Sequence, residues 1–394
     1  MMKRCPMNRS IKVGISIFAI AMAFGLNITG IVPVLNLVRE RYSDQSTSVV
    51  QLMQTLPYAF LMVGSLIIGW LTTRMTKKNI ALLAAAVIGV CGTLPFLSES
   101  FTVLFISRLL IGFGFGLAGP VITAIIAEFI PVENRASYLG INVVGMGIGA
   151  MAGNLIGGLL AKSGLRYFYL VYLMAFISLA VILLLLPRGT ISERNSRSVR
   201  KLNAMVYILA VTAFLHTLFV NAYSSNIGMH IAREITSDTG AAGIVTAVSS
   251  VSSLLMGVLF SKITKLLKRA TLPFAVFSAA AAYAVILFIP GMPGAVISSF
   301  LTGVSISCFN AMGGYLTSIL VRQEAVAKAS GLFSIFGGIG GLISPIVLGG
   351  ISSSVLSGNT PRNQFSIALA GMILLGAAIS LIILKGFGEP KEAA

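Results

Sequence analysis

Gly69-Trp70-Leu71-Thr72-Thr73-Arg74-Met75-Thr76-Lys77 closes one long apolar run, and Gly257-Val258-Leu259-Phe260-Ser261-Lys262-Ile263-Thr264-Lys265 closes another 188 residues later. The same plan occurs twice: a glycine, an apolar turn, then basic residues at a polar edge. Further on, Gly140, Gly147 and Gly149 find Gly331, Gly338 and Gly340 at a constant offset of 191, and Glu133 meets Glu324 at that same offset. The chain reads as one unit duplicated. Duplicated bundles are what alternating-access carriers use, with a binding site near the membrane midplane where the repeats meet, whereas channels and membrane enzymes need no such pseudo-symmetry.

Around these landmarks lie twelve apolar runs, at about 12–35, 48–73, 79–97, 101–127, 136–161, 165–186, 204–228, 240–261, 271–290, 293–319, 327–352 and 363–385. Each has roughly the 20 residues that a spanning helix needs. The longest polar stretch, 187–203, separates six runs from six. The expected architecture is therefore an all-α membrane protein of twelve transmembrane helices: a six-helix bundle over 1–186, a cytoplasmic linker over 187–203 and a second, pseudo-symmetric six-helix bundle over 204–394. The first run follows Lys3, Arg4, Arg9 and Lys12 and so resembles a signal peptide, but it is too long for an apolar signal core and ends at no small-residue cleavage site, so it reads as a retained helix.

Composition agrees. Only 10% of the 394 residues are Asp, Glu, Lys or Arg, against about a quarter in an ordinary soluble domain. With 56% apolar residues and a mean hydropathy of +0.95, the chain must be solvated by lipid. The net charge of +17 lies in short clusters between apolar runs rather than in a basic domain, which excludes a nucleic-acid partner. With a cytoplasmic N-terminus, 21 of the 28 Lys and Arg fall in inner segments and 6 in outer ones (Arg39, Arg41, Lys162, Arg166, Arg233 and Arg362). That asymmetry sets both termini inside, at the plasma membrane. Cys5, Cys91 and Cys308 make no disulfide framework, and His216 and His230 give no zinc signature, so no metal or cofactor is expected.

The motifs resemble those of the major facilitator superfamily over essentially the whole chain. Gly69, Arg74, Lys77 and Lys78 fit the family's signature after helix 2, with Thr73 at its Asp position and Thr76 at a Gly position. Arg108 and Gly112 match the helix 4 signature; Pro131, Arg135 and Gly140 match the motif joining helices 4 and 5. Gly149, Gly153, Gly157 and Gly158 resemble the helix 5 antiporter motif, with Asn154 where the family has Pro. The resemblance implies a gating role for the loop residues and helix packing for the helix 5 set. It places the chain nearest the drug and organic-solute antiporters, which tilts transport outward.

Charges inside spans are costly and therefore candidates for function. None of the eleven acidic residues lies near a midplane, and Glu128 sits at the inner end of span 4. A proton-coupled carrier of cationic drugs usually places a carboxylate there. Arg108 is the one fixed charge well inside a span, a planar fork suited to carboxylate, sulfonate or phosphate. It either attracts an anionic or strongly polar substrate or holds neighbouring helices together. His216 near the middle of span 7 either carries a coupling proton or bonds an adjacent helix.

The remaining substrate candidates are Asn27, Gln51, Gln54, Tyr58, Asn221, Asn310 and Tyr315. Gln51, Gln54 and Tyr58 share one helix face, which should turn away from lipid. Asn154 and Asn226 belong to the same polar set. Gly145, Gly149, Gly153 and Gly157 form a smooth stripe that lets backbones approach and slide.

No phosphate-binding Gly-x-x-x-x-Gly-Lys-Ser/Thr occurs and no catalytic constellation is visible, so the chain is read as no enzyme. The expected function is secondary transport of a small amphipathic or anionic organic solute by a monomer embedded in lipid, coupled to protons or an exchanged counter-solute. The alternative is a proton-coupled multidrug or metabolite exporter.

Overall fold

The computed structural model describes residues 9–28, 35–45, 47–191, 202–236, 239–356, 358 and 360–384. Among them there is no strand. In chain order the helices are α1 (Arg9–Ile28), α2 (Leu35–Arg41), α3 (Thr47–Leu71), α4 (Lys77–Leu97), α5 (Phe101–Phe129), α6 (Val132–Ala161), α7 (Leu165–Phe168) and α8 (Met174–Leu185). They continue as α9 (Ala204–Glu234), α10 (Thr239–Leu267), α11 (Thr271–Phe288), α12 (Gly291–Ile319), α13 (Val326–Val355) and α14 (Pro361–Leu384). In hydrocarbon every backbone N–H and C=O must find its partner within the segment, and a continuous helix does this.

Ten stretches of the described residues are long and apolar enough to cross a membrane, with Leu56–Leu71 a shorter addition. One of them, Ile244–Phe288, joins α10 and α11 through the tight turn Lys268–Ala270, where Lys268 takes the left-handed φ of 49° that reverses the chain. Local chemistry marks the helix starts. The Thr76 hydroxyl accepts from the Asn79 amide at 3.3 Å, and Asn203 Oδ1 accepts from the Met205 amide at 3.3 Å. Pro361 opens α14 at the position where its missing N–H costs nothing.

By proximity the chain divides into two units. The first is Met1–Leu202 with Val321–Gly331, and the second is Asn203–Leu320 with Leu332–Ala394. The short segment 321–331 thus joins the first unit, although in sequence order it lies within the second repeat.

Within the first unit, α6 lies against α1 and α5 against α3. The glycine stripe makes the α1–α6 seam. A Cβ on Gly145 would meet the Phe18 carbonyl, one on Gly149 the Met22 carbonyl, and one on Gly153 the Leu26 carbonyl. Gly157 instead faces the Phe168 ring, and Gly158 faces open space. Gly112 and Gly116 bring α5 onto the Pro57 and Leu61 carbonyls of α3 in the same manner. Leu26, Met53, Ile88, Ile111, Phe115, Phe168 and Tyr172 fill the core between these helices, while Leu66, Leu155, Leu159 and Leu184 are exposed, as lipid-facing side chains should be.

The second unit repeats the device. Gly340 of α13 packs against the Phe214 carbonyl of α9. Gly340 is the repeat partner of Gly149, so the same glycine closes α1 onto α6 in one unit and α9 onto α13 in the other. Polar side chains add their own ties here. Asn226 Nδ2 donates to Gln364 Oε1 at 2.8 Å, Tyr223 and Ser298 hydroxyls are 2.8 Å apart, and the Tyr283 hydroxyl donates to the Phe219 carbonyl at 2.6 Å.

Candidate functional site

Arg108 stands two turns into α5 and is 1% exposed. Its Nη1 donates to the Tyr172 hydroxyl at 2.9 Å. The guanidinium carbon lies 5.8 Å from the centre of the Tyr172 ring and 6.0 Å from that of Tyr169. Both tyrosines belong to the 3₁₀ turn Tyr169–Leu173 that precedes α8. At three residues per turn, positions three apart eclipse, so the two rings present themselves on one side. Tyr169 and Tyr172 are themselves buried. The charge is therefore held inside the first unit by a hydrogen bond and two ring faces, an arrangement worth about 2 kcal/mol or more once desolvated. Gly112, one turn on, seats this part of α5 against Pro57. Tyr58, the next residue of α3, is 37% exposed.

The loop-motif residues gather at one end of the same unit. Lys77 and Glu128 make a buried ion pair at 3.0 Å, their side chains 3% and 6% exposed. The pair holds the exposed Thr190 from one side. Lys77 Nζ donates to its carbonyl at 3.2 Å, and Glu128 Oε1 accepts from its amide at 2.6 Å and its hydroxyl at 2.9 Å. A Cβ on Gly189 would lie 2.6 Å from the Glu128 carboxylate, so any side chain there would make that carboxylate shift.

Lys78 caps the end of α8, donating to the Leu183 carbonyl at 2.8 Å and the Leu186 carbonyl at 2.7 Å. Arg135 caps α5 through the Ala127 carbonyl at 2.9 Å and the Ile130 carbonyl at 3.2 Å. Arg74 lies 5.7 Å from the Trp70 ring centre, and Gly69 packs against the Lys328 stem. Thr73, at the family's Asp position, turns its hydroxyl back to the Trp70 carbonyl at 2.8 Å.

In the second unit, His216 is buried on α9. It lies flat on Phe309, ring centres 3.7 Å apart at an angle of 5°, with Nε2 3.0 Å from the Ser305 hydroxyl. Phe333 of α13 also stacks with Phe309, ring centres 5.9 Å apart. Asn310, next along α12, is exposed, and Tyr315 is half-buried. Asn221 Nδ2 donates to the Gly341 carbonyl at 2.9 Å, tying α9 to α13. The side chains of Asn27, Gln51, Gln54 and Asn154 lie outside the described residues.

Of the candidates named from sequence, His216 and Asn310 therefore flank one aromatic residue, and Arg108 sits among the aromatic residues of its own unit. Three groups were missed. Tyr169 and Tyr172 could have been found as two phenols three apart in an apolar run. Lys77 and Glu128 are each legible in the sequence, but their pairing is not. Gln364 carried no signal beyond being an amide beside a span. Among the described residues no three His, Cys, Asp or Glu side chains gather as a metal site.

A family model described as Major Facilitator Superfamily matches residues 16–207 and 209–394. Similar solved structures include the crystal structure of the human organic anion transporter MFSD10 (TETRAN), at 14% identity and TM-score 0.75, covering 95% of this chain and all of that one. The transporter FucP in an outward conformation gives 14% and 0.74, covering 94% and 99%. The proton:xylose symporter XylE, bound to 6-bromo-6-deoxy-D-glucose, gives 14% and 0.76, covering 96% of each chain.

Proposed function

The chain belongs to the Major Facilitator Superfamily, and from that membership we propose that it is a secondary transporter moving a small amphipathic or anionic organic solute by alternating access. It is an integral multi-pass membrane protein and a transporter rather than an enzyme. The finer reading is ours: twelve spans in two six-helix bundles acting as a monomer at the plasma membrane, both termini cytoplasmic, with protons or a counter-solute as the exchange partner.

The observation that carries the substrate class is the sign of the buried charge. Arg108 is enclosed in the first unit, whereas the one described carboxylate buried at a span end, Glu128, is already neutralised by Lys77. A low-dielectric surrounding in which the described partners of Arg108, Tyr169 and Tyr172, are uncharged lowers the energy of an approaching anion and raises that of a cation. In this reading Arg108 acts by its field, and the exposed Tyr58 and Asn310 supply hydrogen bonds to the solute. Asn27, Gln51, Gln54, Asn221 and Tyr315 complete the set we assign to the pathway, with His216 as a brace between α9 and α12 rather than a solute contact.

The alternative, a proton-coupled multidrug or metabolite exporter, is favoured by the glycine stripe that resembles the antiporter motif. Proteoliposome counterflow separates the two. We expect saturable exchange of labelled organic anions that falls at least about tenfold in Arg108→Ala and is largely kept in Arg108→Lys, since a charge lost from a desolvated site costs at least 1.4 kcal/mol. Exchange of organic cations alone, or of anions undiminished in a folded Arg108→Ala, refutes the anionic reading.

A further inference from the structure

At the end of the first unit away from Lys77, the turns after α2, α4 and α6 surround a cavity of about 330 Å³. Arg41, Tyr42, Glu99, Arg166, Tyr167 and Tyr169 line it. Its charges are unequal. Glu99 is engaged by the Arg41 guanidinium, and the Tyr42 hydroxyl donates to the Glu99 main-chain carbonyl at 3.0 Å, so the acid is both neutralised and held. Arg166 also feels the Glu99 carboxylate, though at no close ion-pair distance, so the lining holds two guanidiniums against one acid. It is exposed, lies 4.9 Å from the Tyr167 ring centre and donates to that hydroxyl at 2.9 Å through one of the five N–H groups of its fork. Behind the floor, the Arg108 guanidinium is 6.0 Å from the Tyr169 ring. Gly164 shapes the rim with a φ of 129° that a side chain would strain.

The cavity thus joins an exposed guanidinium, in excess over the single acid of its lining, to aromatic rings, one of which lies 6.0 Å from the buried Arg108. We infer that it is an accessory binding site for an aromatic carboxylate, the carboxylate seated on Arg166 and the ring against Tyr167 and Tyr169. A planar fork meets a carboxylate through two parallel hydrogen bonds, and phenol faces take a flat apolar ring. With the orientation proposed above, this end faces outward, and the site gathers or releases the anionic solute there. The corresponding cavity of the second unit, about 250 Å³, is unlike it. There Arg362 is shared between Glu234 at 3.6 Å and the Leu287 carbonyl at 3.3 Å, and His230 Nδ1 also faces Glu234 at 3.3 Å. That cavity provides an internal control.

The inference rests on the anionic-solute reading for its biological purpose but is tested apart from it. Benzoate is titrated by ligand-observed NMR against the full chain in nanodiscs of neutral phosphatidylcholine, so that no lipid anion competes, with benzylamine as the cationic comparison. Wild type and Arg362→Gln should bind benzoate alike. Arg166→Gln should weaken it about two- to fivefold, as an exposed guanidinium allows, and Ser163→Trp, which adds a bulky ring to the cavity lining and keeps both arginines, should abolish it. Binding in Arg166→Gln or Ser163→Trp equal to wild type overturns the site, as does a preference for benzylamine. Benzoate counterflow is followed in parallel. Arg166-dependent binding without counterflow in wild type sinks the transport reading and leaves this site standing. Intact counterflow with Arg166-independent binding sinks this site alone.

Discussion

Removing one partner of the buried Lys77–Glu128 pair should cost far more than removing both. At 3.0 Å the two charges attract by about 5–6 kcal/mol at an effective dielectric of 20. Desolvating each ion costs several kcal/mol, so the pair as a whole contributes little net stability. The balance changes when one charge is stranded. Lys77→Met leaves the Glu128 carboxylate buried with only the Thr190 amide and hydroxyl, and a stranded charge of this kind costs about 3–5 kcal/mol. Glu128→Ala strands the ammonium and also removes both Thr190 bonds, each worth about 1.5–3 kcal/mol to a charged acceptor, so it should reach the upper end of that range or beyond. Lys77→Met combined with Glu128→Leu should recover roughly 3 kcal/mol of the summed loss. The assay is reversible SDS or urea unfolding in mixed micelles, carried through all four corners of the mutant cycle. Single losses below about 1 kcal/mol, or singles that add without coupling, would mean that water reaches the pair and that the clamp on Thr190 is not a buried one.

Two further outcomes follow from packing. Gly149 and Gly158 share one sequence motif but not one environment, so Gly149→Val should lower stability by about 1–3 kcal/mol or more as α1 and α6 are forced apart, while Gly158→Ala should leave it unchanged or slightly raised; equal melting shifts for the two would refute the seam. His216→Gln should keep both transport and its pH profile, because the ring is sealed between Ser305 and Phe309, and a flattened profile in a folded variant would restore the proton-carrier role.

Much of the fold was legible because hydropathy and charge act one residue at a time along the chain. Runs of about 20 apolar residues imply spans wherever they occur, and the repeat at offsets of 188 and 191 declares the duplication without any coordinates. The equivalence of Gly149 and Gly340 was visible as spacing, but only the helices show that both press on a carbonyl of the first helix of their unit. The candidate site was legible as a set of residue types and not as a set of contacts. Arg108 stood out because a fixed charge in a span is rare, yet nothing local says that its neighbours are two tyrosines some sixty residues on.

The amino-acid sequence alone determined that this protein lives in lipid, that it is built twice over from helices, and which few ionisable groups enter the spans. Tertiary structure alone decided what those groups meet. It put Arg108 against Tyr172, Lys77 against Glu128 and Thr190, His216 against Phe309, and Arg166 at the mouth of an aromatic cavity. The physical reason is range. Transfer to hydrocarbon sums over single residues, whereas a hydrogen bond, an ion pair or a ring contact acts over a few ångströms between residues that only helix packing brings together.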